Sequence, residues 1–147
     1  MLIASTSFAQ SNPTEIEIFQ DALGLEKKIA VAKFMSLGDS AVVFWKIYDE
    51  YEVERKKLGK ERLLVISDYA KNYPNISDKM IQDLFNRTPS QKKAFDKLQE
   101  TYFNRMKKEV GISKAAQFWQ IEGYFNTIIL ANIYKQIPFI GEHLSGK

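Results

Sequence analysis

A chain of 147 residues with a formal net charge of +3 has the size of one domain, and its 45% hydrophobic content is enough to bury a core. Its 21 basic and 18 acidic residues are interleaved rather than gathered in one tract, which argues against nucleic-acid binding. The absence of cysteine excludes disulfides, thiolate nucleophiles and zinc–thiolate sites together.

Residues 1–9, MLIASTSFA, read as the remnant of a secretory signal peptide. Leu2, Ile3 and Ala4 resemble the end of an apolar core, and Ser7-Phe8-Ala9 has the small-x-small form of a cleavage site. Residues 10–147 then form a single helical domain. No later stretch reaches ~18 apolar residues free of charge, so no integral membrane segment is expected.

Asn12-Pro13-Thr14-Glu15 is a helix start, with Asn12 as cap and Pro13 in the first helical position. The first helix runs to about Phe34, with Ile16, Phe19, Leu23, Ile29 and Ala30 expected inward. Leu37-Gly38 closes it, and Asp39 or Ser40 caps the next. The second helix reads as about 35 residues, from Asp39 to Tyr73, ended by Pro74. Its apolar stripe is Phe44, Tyr48, Tyr51, Leu58, Val65 and Tyr69. Arg55 and Arg62 lie on the same stripe, seven residues apart, with Gly59 between them.

Ser77 caps the third helix. Ile81, Leu84, Thr88, Gln91, Phe95, Leu98, Tyr102 and Met106 keep one phase across Pro89. Two readings stay open there: a fresh helix capped by Thr88, or one long helix kinked at the proline. Gly111-Ile112-Ser113 is the last break, with Ser113 as cap. The fourth helix, ended by Pro138, is the most apolar and is expected to be buried on most of its circumference. GEHLSGK reads as a mobile polar tail. The fold class is therefore all-α: an antiparallel long-helix bundle or hairpin of about four helices, the third kinked or broken near Pro89.

Chemistry is sparse. The one histidine, His143, lies in the tail, which excludes Ser-His-Asp, HExxH and Glu-x-x-His di-iron arrangements. The carboxylates Asp49, Glu50, Glu52 and Glu54 stand beside Arg55, Lys56 and Lys57, where helical ion pairs are the plain reading. No glycine-rich phosphate loop or calcium loop occurs, so no cofactor, metal or catalytic residue is assigned. The distinctive feature is a structural polar seam. Arg55 or Arg62 needs a partner if buried. Glu122 is the natural one, because it shares a face with Ala115, Trp119, Phe125 and Ile129, and Tyr48 or Tyr51 would add hydroxyl contacts. Alternatively both arginines reach water at the seam's edge.

The segments LGDSAVVFWKIYDEYEVER, SKAAQFWQIEGYF and QIPFI together resemble the small helical periplasmic proteins related to Spy and CpxP. The similarity spans roughly residues 30 to 140 and rests on Phe44-Trp45, the Tyr48/Tyr51 spacing and Phe118-x-Gln120-x-Glu122. The family's LTxxQ signature is not intact: Leu37-Gly38-Asp39 occupies a similar helix start without the Thr or Gln. The resemblance implies a hairpin-like bundle, often a homodimer, whose exposed face holds an unfolded client or an envelope partner without ATP. The expected function is an extracytoplasmic, periplasmic, non-enzymatic binding protein of chaperone-like or envelope-stress type. The alternative is a structural or adaptor subunit whose long helices pack against a protein partner.

Overall fold

The computed structural model describes residues 13–137, with side chains from Ile16 onward. The expected signal-peptide remnant, the Asn12 cap and the polar tail lie outside the described residues. Within them the chain is four helices: α1 (Pro13–Phe34), α2 (Ala41–Asn72), α3 (Asp78–Val110) and α4 (Ile112–Gln136). No strand occurs among the described residues. Short links force neighbours to run antiparallel. Each of α1 and α3 lies against both α2 and α4, which makes an all-α four-helix bundle.

The breaks between helices follow the local sequence. Gly38, at a φ of 52°, begins a 3-10 turn over Gly38–Ser40 that leads into α2. Neither Asp39 nor Ser40 caps α2 by the expected side-chain bond; the turn itself satisfies Ser40, whose N–H donates to the Leu37 carbonyl at 3.0 Å. Tyr73 is extended, as a residue before proline should be, and it terminates α2. Ser77 does cap α3, accepting from the Met80 N–H at 3.3 Å. Ser113 does not cap α4. The helix starts two residues earlier than a Ser113 cap would place it, at Ile112, because Gly111 reverses the chain by itself at a φ of 95°.

Pro89 does not break the third helix, which runs continuously from Asp78 to Val110. Thr88 caps nothing there and instead donates its hydroxyl to the Leu84 carbonyl at 2.9 Å within the helix. Residues 85–90 are all exposed, so the Phe85 carbonyl that Pro89 deprives of a donor has solvent beside it.

Two apolar clusters form the core. The larger joins Val31, Met35, Phe44, Ile47, Tyr48, Tyr51, Met106, Phe118, Ile121 and Phe125. Its aromatic rings meet edge to face, Tyr51 on Phe118 at 5.0 Å and Tyr48 on Phe118 at 6.5 Å. The smaller joins Ile16, Leu63 and Ile133 at the other end. Two expectations about faces need correction. Ile16 and Leu23 of α1 face inward as expected, but Ile29 is 49% exposed, because the inward stripe continues through Gln20, Lys27 and Val31 instead. In α4, Trp119 lies 43% exposed against the Phe103 ring, and Tyr124 and Tyr134 face out. That helix sits on the flank of the bundle rather than within it, which is why it is not buried all round.

Exposed ion pairs mark the register of α1 on α2. Glu17 meets Lys60, Asp21 meets Lys56, and Lys28 meets Asp49 at 2.6 Å. Continued in that register, Pro13 stands level with Leu64. Among the described residues, the last turns of α2 and α4 and the first turns of α3 therefore form a three-helix end that α1 does not reach.

Candidate functional site

Between the two apolar clusters lies a layer of buried charge. Lys27 is its centre, at 1% exposure. Its Nζ donates to Glu52 Oε1 at 2.8 Å and to Glu122 Oε2 at 3.0 Å. Arg55 is buried beside it and grips Glu52 with two bonds, Nε to Oε1 at 2.8 Å and Nη2 to Oε2 at 2.9 Å. The Tyr51 hydroxyl donates to Glu122 Oε2 at 2.9 Å. Two formal cations and two formal anions thus neutralise one another across α1, α2 and α4.

The helices supply these groups for simple positional reasons. Lys27 follows Leu23 by four residues and precedes Val31 by four, so it falls on the inward stripe of α1. Tyr51 and Arg55 are one turn apart on α2, and Glu122 interrupts the buried run Phe118, Ile121 and Phe125 on α4. Gly59 makes room for a further polar crossing. Gln20 Nε2 donates to the Lys56 carbonyl at 2.8 Å, and a Cβ at Gly59 would stand only 2.8 Å from that nitrogen.

The electrostatics follow from this packing. Burial alone would raise the Glu52 carboxyl, but Lys27 and then Arg55 outweigh it and hold it below the ordinary carboxylate range. Burial would lower the Arg55 guanidinium, and Glu52 more than reverses that. Burial, followed by the Glu122 charge, pushes the Tyr51 phenol well above its usual value. The Tyr48 phenol is raised in the same direction, by burial first and then by Glu52 and Glu122.

Of the seam residues expected from sequence, Tyr51, Arg55 and Glu122 come together in this layer, with different partners from those anticipated. Neither arginine is Glu122's ion partner. Lys27 takes that position, and Arg55 is held by Glu52 on its own helix. Arg62 stands one layer along. Its guanidinium lies 3.9 Å from the Phe95 ring centroid and donates to Asn126 Oδ1 at 3.2 Å. Burial and then the charge of Arg55 lower its pKa. Tyr48 is buried with its hydroxyl unpaired among the described residues, as is Glu122 Oε1. Sequence reasoning missed Lys27, Glu52 and Gln20. The available sign was a lysine four residues after an inward leucine.

A cleft of about 60 Å³ opens beside the layer, walled by Gln20, Arg55, Arg62, Phe95 and Glu122 among others. That is well below the ~300–1,000 Å³ usual for small-molecule sites. Among the described residues no group of His, Asp and Glu is placed to hold a metal ion. No helix there is long and apolar enough to cross a membrane. The fold and this layer define a class, an all-α four-helix bundle divided by a buried charge layer. Comparison with family models, with curated proteins and with solved structures finds no match to this chain.

Proposed function

We propose that this protein is a non-enzymatic, extracytoplasmic binding protein that holds apolar segments of other proteins in a chaperone-like way, without ATP. The observation that carries the reading is the three-helix end. α3 buries only Met106 in its whole length, so its first turns leave apolar side chains partly open. Met80, Ile81 and Leu84 are half-buried there, and Phe85 is 64% exposed. Tyr73 and Ile76 in the preceding turn are half-buried as well, and Tyr134 on α4 is exposed. An apolar surface rimmed by Lys, Arg and Asp, such as Arg87 and Asp68, is the usual mark of protein interaction. The charge layer supports the same reading, since its lysine and buried arginine are already paired with acids and leave little for substrate chemistry. The resemblance to the Spy and CpxP proteins supports the extracytoplasmic placement and the client-holding role.

The test is suppression of aggregation of two unrelated unfolded proteins by the purified chain, with and without ATP. Suppression should be independent of ATP and should drop several-fold in Phe85→Ser/Ile81→Ser while helicity is unchanged. Absence of suppression by the wild type, or full suppression by the variant, would count against this reading. A stable stoichiometric complex with one folded protein would favour an adaptor role.

A further inference from the structure

α1 is apolar on its outward side as well as its inward one. Its inward stripe carries Gln20 and Lys27, both buried, among Ile16, Leu23 and Val31. Its outward stripe is aliphatic: Ile18 and Leu25 are each 65% exposed, Ile29 is 49% exposed, and Ala22 and Ala32 are exposed beside them. These five positions differ by seven, four or three residues, so they form one continuous ridge. From Ile18 to Ile29 the ridge runs about 16 Å. α1 lies across both α2 and α4, so this ridge is carried on the outside of the bundle.

We infer that the α1 ridge pairs antiparallel with the α1 ridge of a second copy of this chain. The case rests on the ridge being complementary to itself about a two-fold axis midway between Leu23 and Gly24. In that register Ile18 meets Ile29 of the second copy, and Leu25 meets the small Ala22. Large side chains thus face large ones at the ends, and a large one faces a small one at the centre, where the helices come closest.

Charge agrees with the same register. One flank of the ridge carries Glu17, Asp21 and Lys28, all with exposed side chains. A two-fold axis across antiparallel helices brings each flank against its own counterpart. Lys28 of one copy then falls between Glu17 and Asp21 of the other, on both sides of the axis. Those groups already pair with Lys60, Lys56 and Asp49 of α2, so the contact would extend existing ion pairs into a network across two chains. On the other flank the two Glu26 residues stand about 7.5 Å apart along the axis, out of contact. Two helices touching over three turns bury less than the ~1,600 Å² of a standard interface, so the dimer is reversible.

The absence of cysteine gives a clean experiment. Sedimentation of the full chain from about 1 µM to about 1 mM should show a monomer–dimer equilibrium. Leu25→Glu should shift that equilibrium at least tenfold toward monomer, with helicity and urea midpoint near wild type. Under a short bis-maleimide linker, Leu25→Cys should cross-link with itself, because it lies next to the axis. Ile18→Cys alone should not, whereas a mixture of Ile18→Cys and Ile29→Cys chains should. A chain that stays monomeric throughout overturns the inference. So does a dimer indifferent to Leu25→Glu, or Ile18→Cys cross-linking alone as readily as in the mixture, which would mean parallel pairing.

Discussion

Replacing Lys27 by methionine tests the charge layer most directly. Methionine keeps most of the length of the side chain, so the perturbation is chiefly the loss of one buried ammonium. Its two acceptors are not left equal. Glu52 retains both bonds from Arg55, at 2.8 and 2.9 Å. Glu122 loses its one ion partner and keeps only the Tyr51 hydroxyl, in a site where its side chain is 5% exposed. Breaking a buried ion pair from one side typically costs ~3–5 kcal/mol, because the surviving charge keeps its desolvation penalty. Against a total stability of ~5–15 kcal/mol, that is a fifth of the margin or more. For a domain of this size it lowers Tm by about 10 °C. The double variant Lys27→Met/Glu122→Met should recover most of the loss and come within ~2 kcal/mol of wild type, since removing both ions also removes both penalties. Urea unfolding followed by helical circular dichroism measures all four corners of the cycle. A single-variant loss below ~1 kcal/mol, or losses that simply add in the double variant, would refute the view of this layer as an interdependent ion cluster.

The other predictions concern the tyrosines, the glycine and pH. Tyr51→Phe should destabilise by ~1–3 kcal/mol because it removes a bond to a buried carboxylate. Tyr48→Phe should fall within ~1 kcal/mol of wild type, or stabilise, because its buried hydroxyl has no partner among the described residues; urea midpoints of the two variants compare them. Above pH ~10 the wild type should lose stability steadily. Both phenols have folded pKa values raised above the unfolded one, so their contribution is complete below ~10 and is lost as pH rises beyond it. The Tyr48→Phe/Tyr51→Phe double variant should show a shallower slope from pH 9 to 11.5. Gly59→Ala gains ~1 kcal/mol of helix propensity but drives a Cβ against Gln20 Nε2, 2.8 Å away, and breaks its bond to Lys56. A net loss of ~1–2 kcal/mol is expected, reversed in Gln20→Ala/Gly59→Ala, and a Gly59→Ala single variant more stable than wild type would contradict the crossing.

The fold was readable because helix punctuation is local chemistry. Pro74 and Gly111 set helix ends through backbone geometry and Ser77 through its side-chain cap, and of the expected α2 stripe Phe44, Tyr48, Tyr51, Val65 and Tyr69 are buried while Leu58 is only half-buried. Pro89 was harder to read, since a proline is tolerated inside a helix when the surrounding carbonyls face solvent, and exposure is a tertiary property. The partners in the charge layer could not be read at all. Whether Glu122 meets an arginine of α2 or a lysine of α1 depends on how far α1 slides along α2 and which way it faces. Both are settled by contacts between helices, among them Lys28 with Asp49 and Gln20 with the Lys56 carbonyl.

α1 shows how such a choice is made. It carries two apolar stripes on opposite sides, Ile16–Leu23–Val31 and Ile18–Leu25–Ile29, and hydrophobicity alone would let either face the bundle. The facing helices are not neutral. At the level of Lys27 they present Glu52 and Glu122, two carboxylates removed from water. Turning the Ile18–Leu25–Ile29 stripe inward would leave Glu122 without a cation, at a cost of several kcal/mol. Each exposed Ile or Leu gives back ~1.5–3 kcal/mol at most on full burial, and those on the present inner stripe would lose as much by coming out. The hydrophobic terms therefore nearly cancel between the two orientations, and the difference between them falls to Lys27. The ion cluster adds little net stability to the bundle, yet it decides which side of α1 is core and which side is left as an aliphatic ridge on the outside.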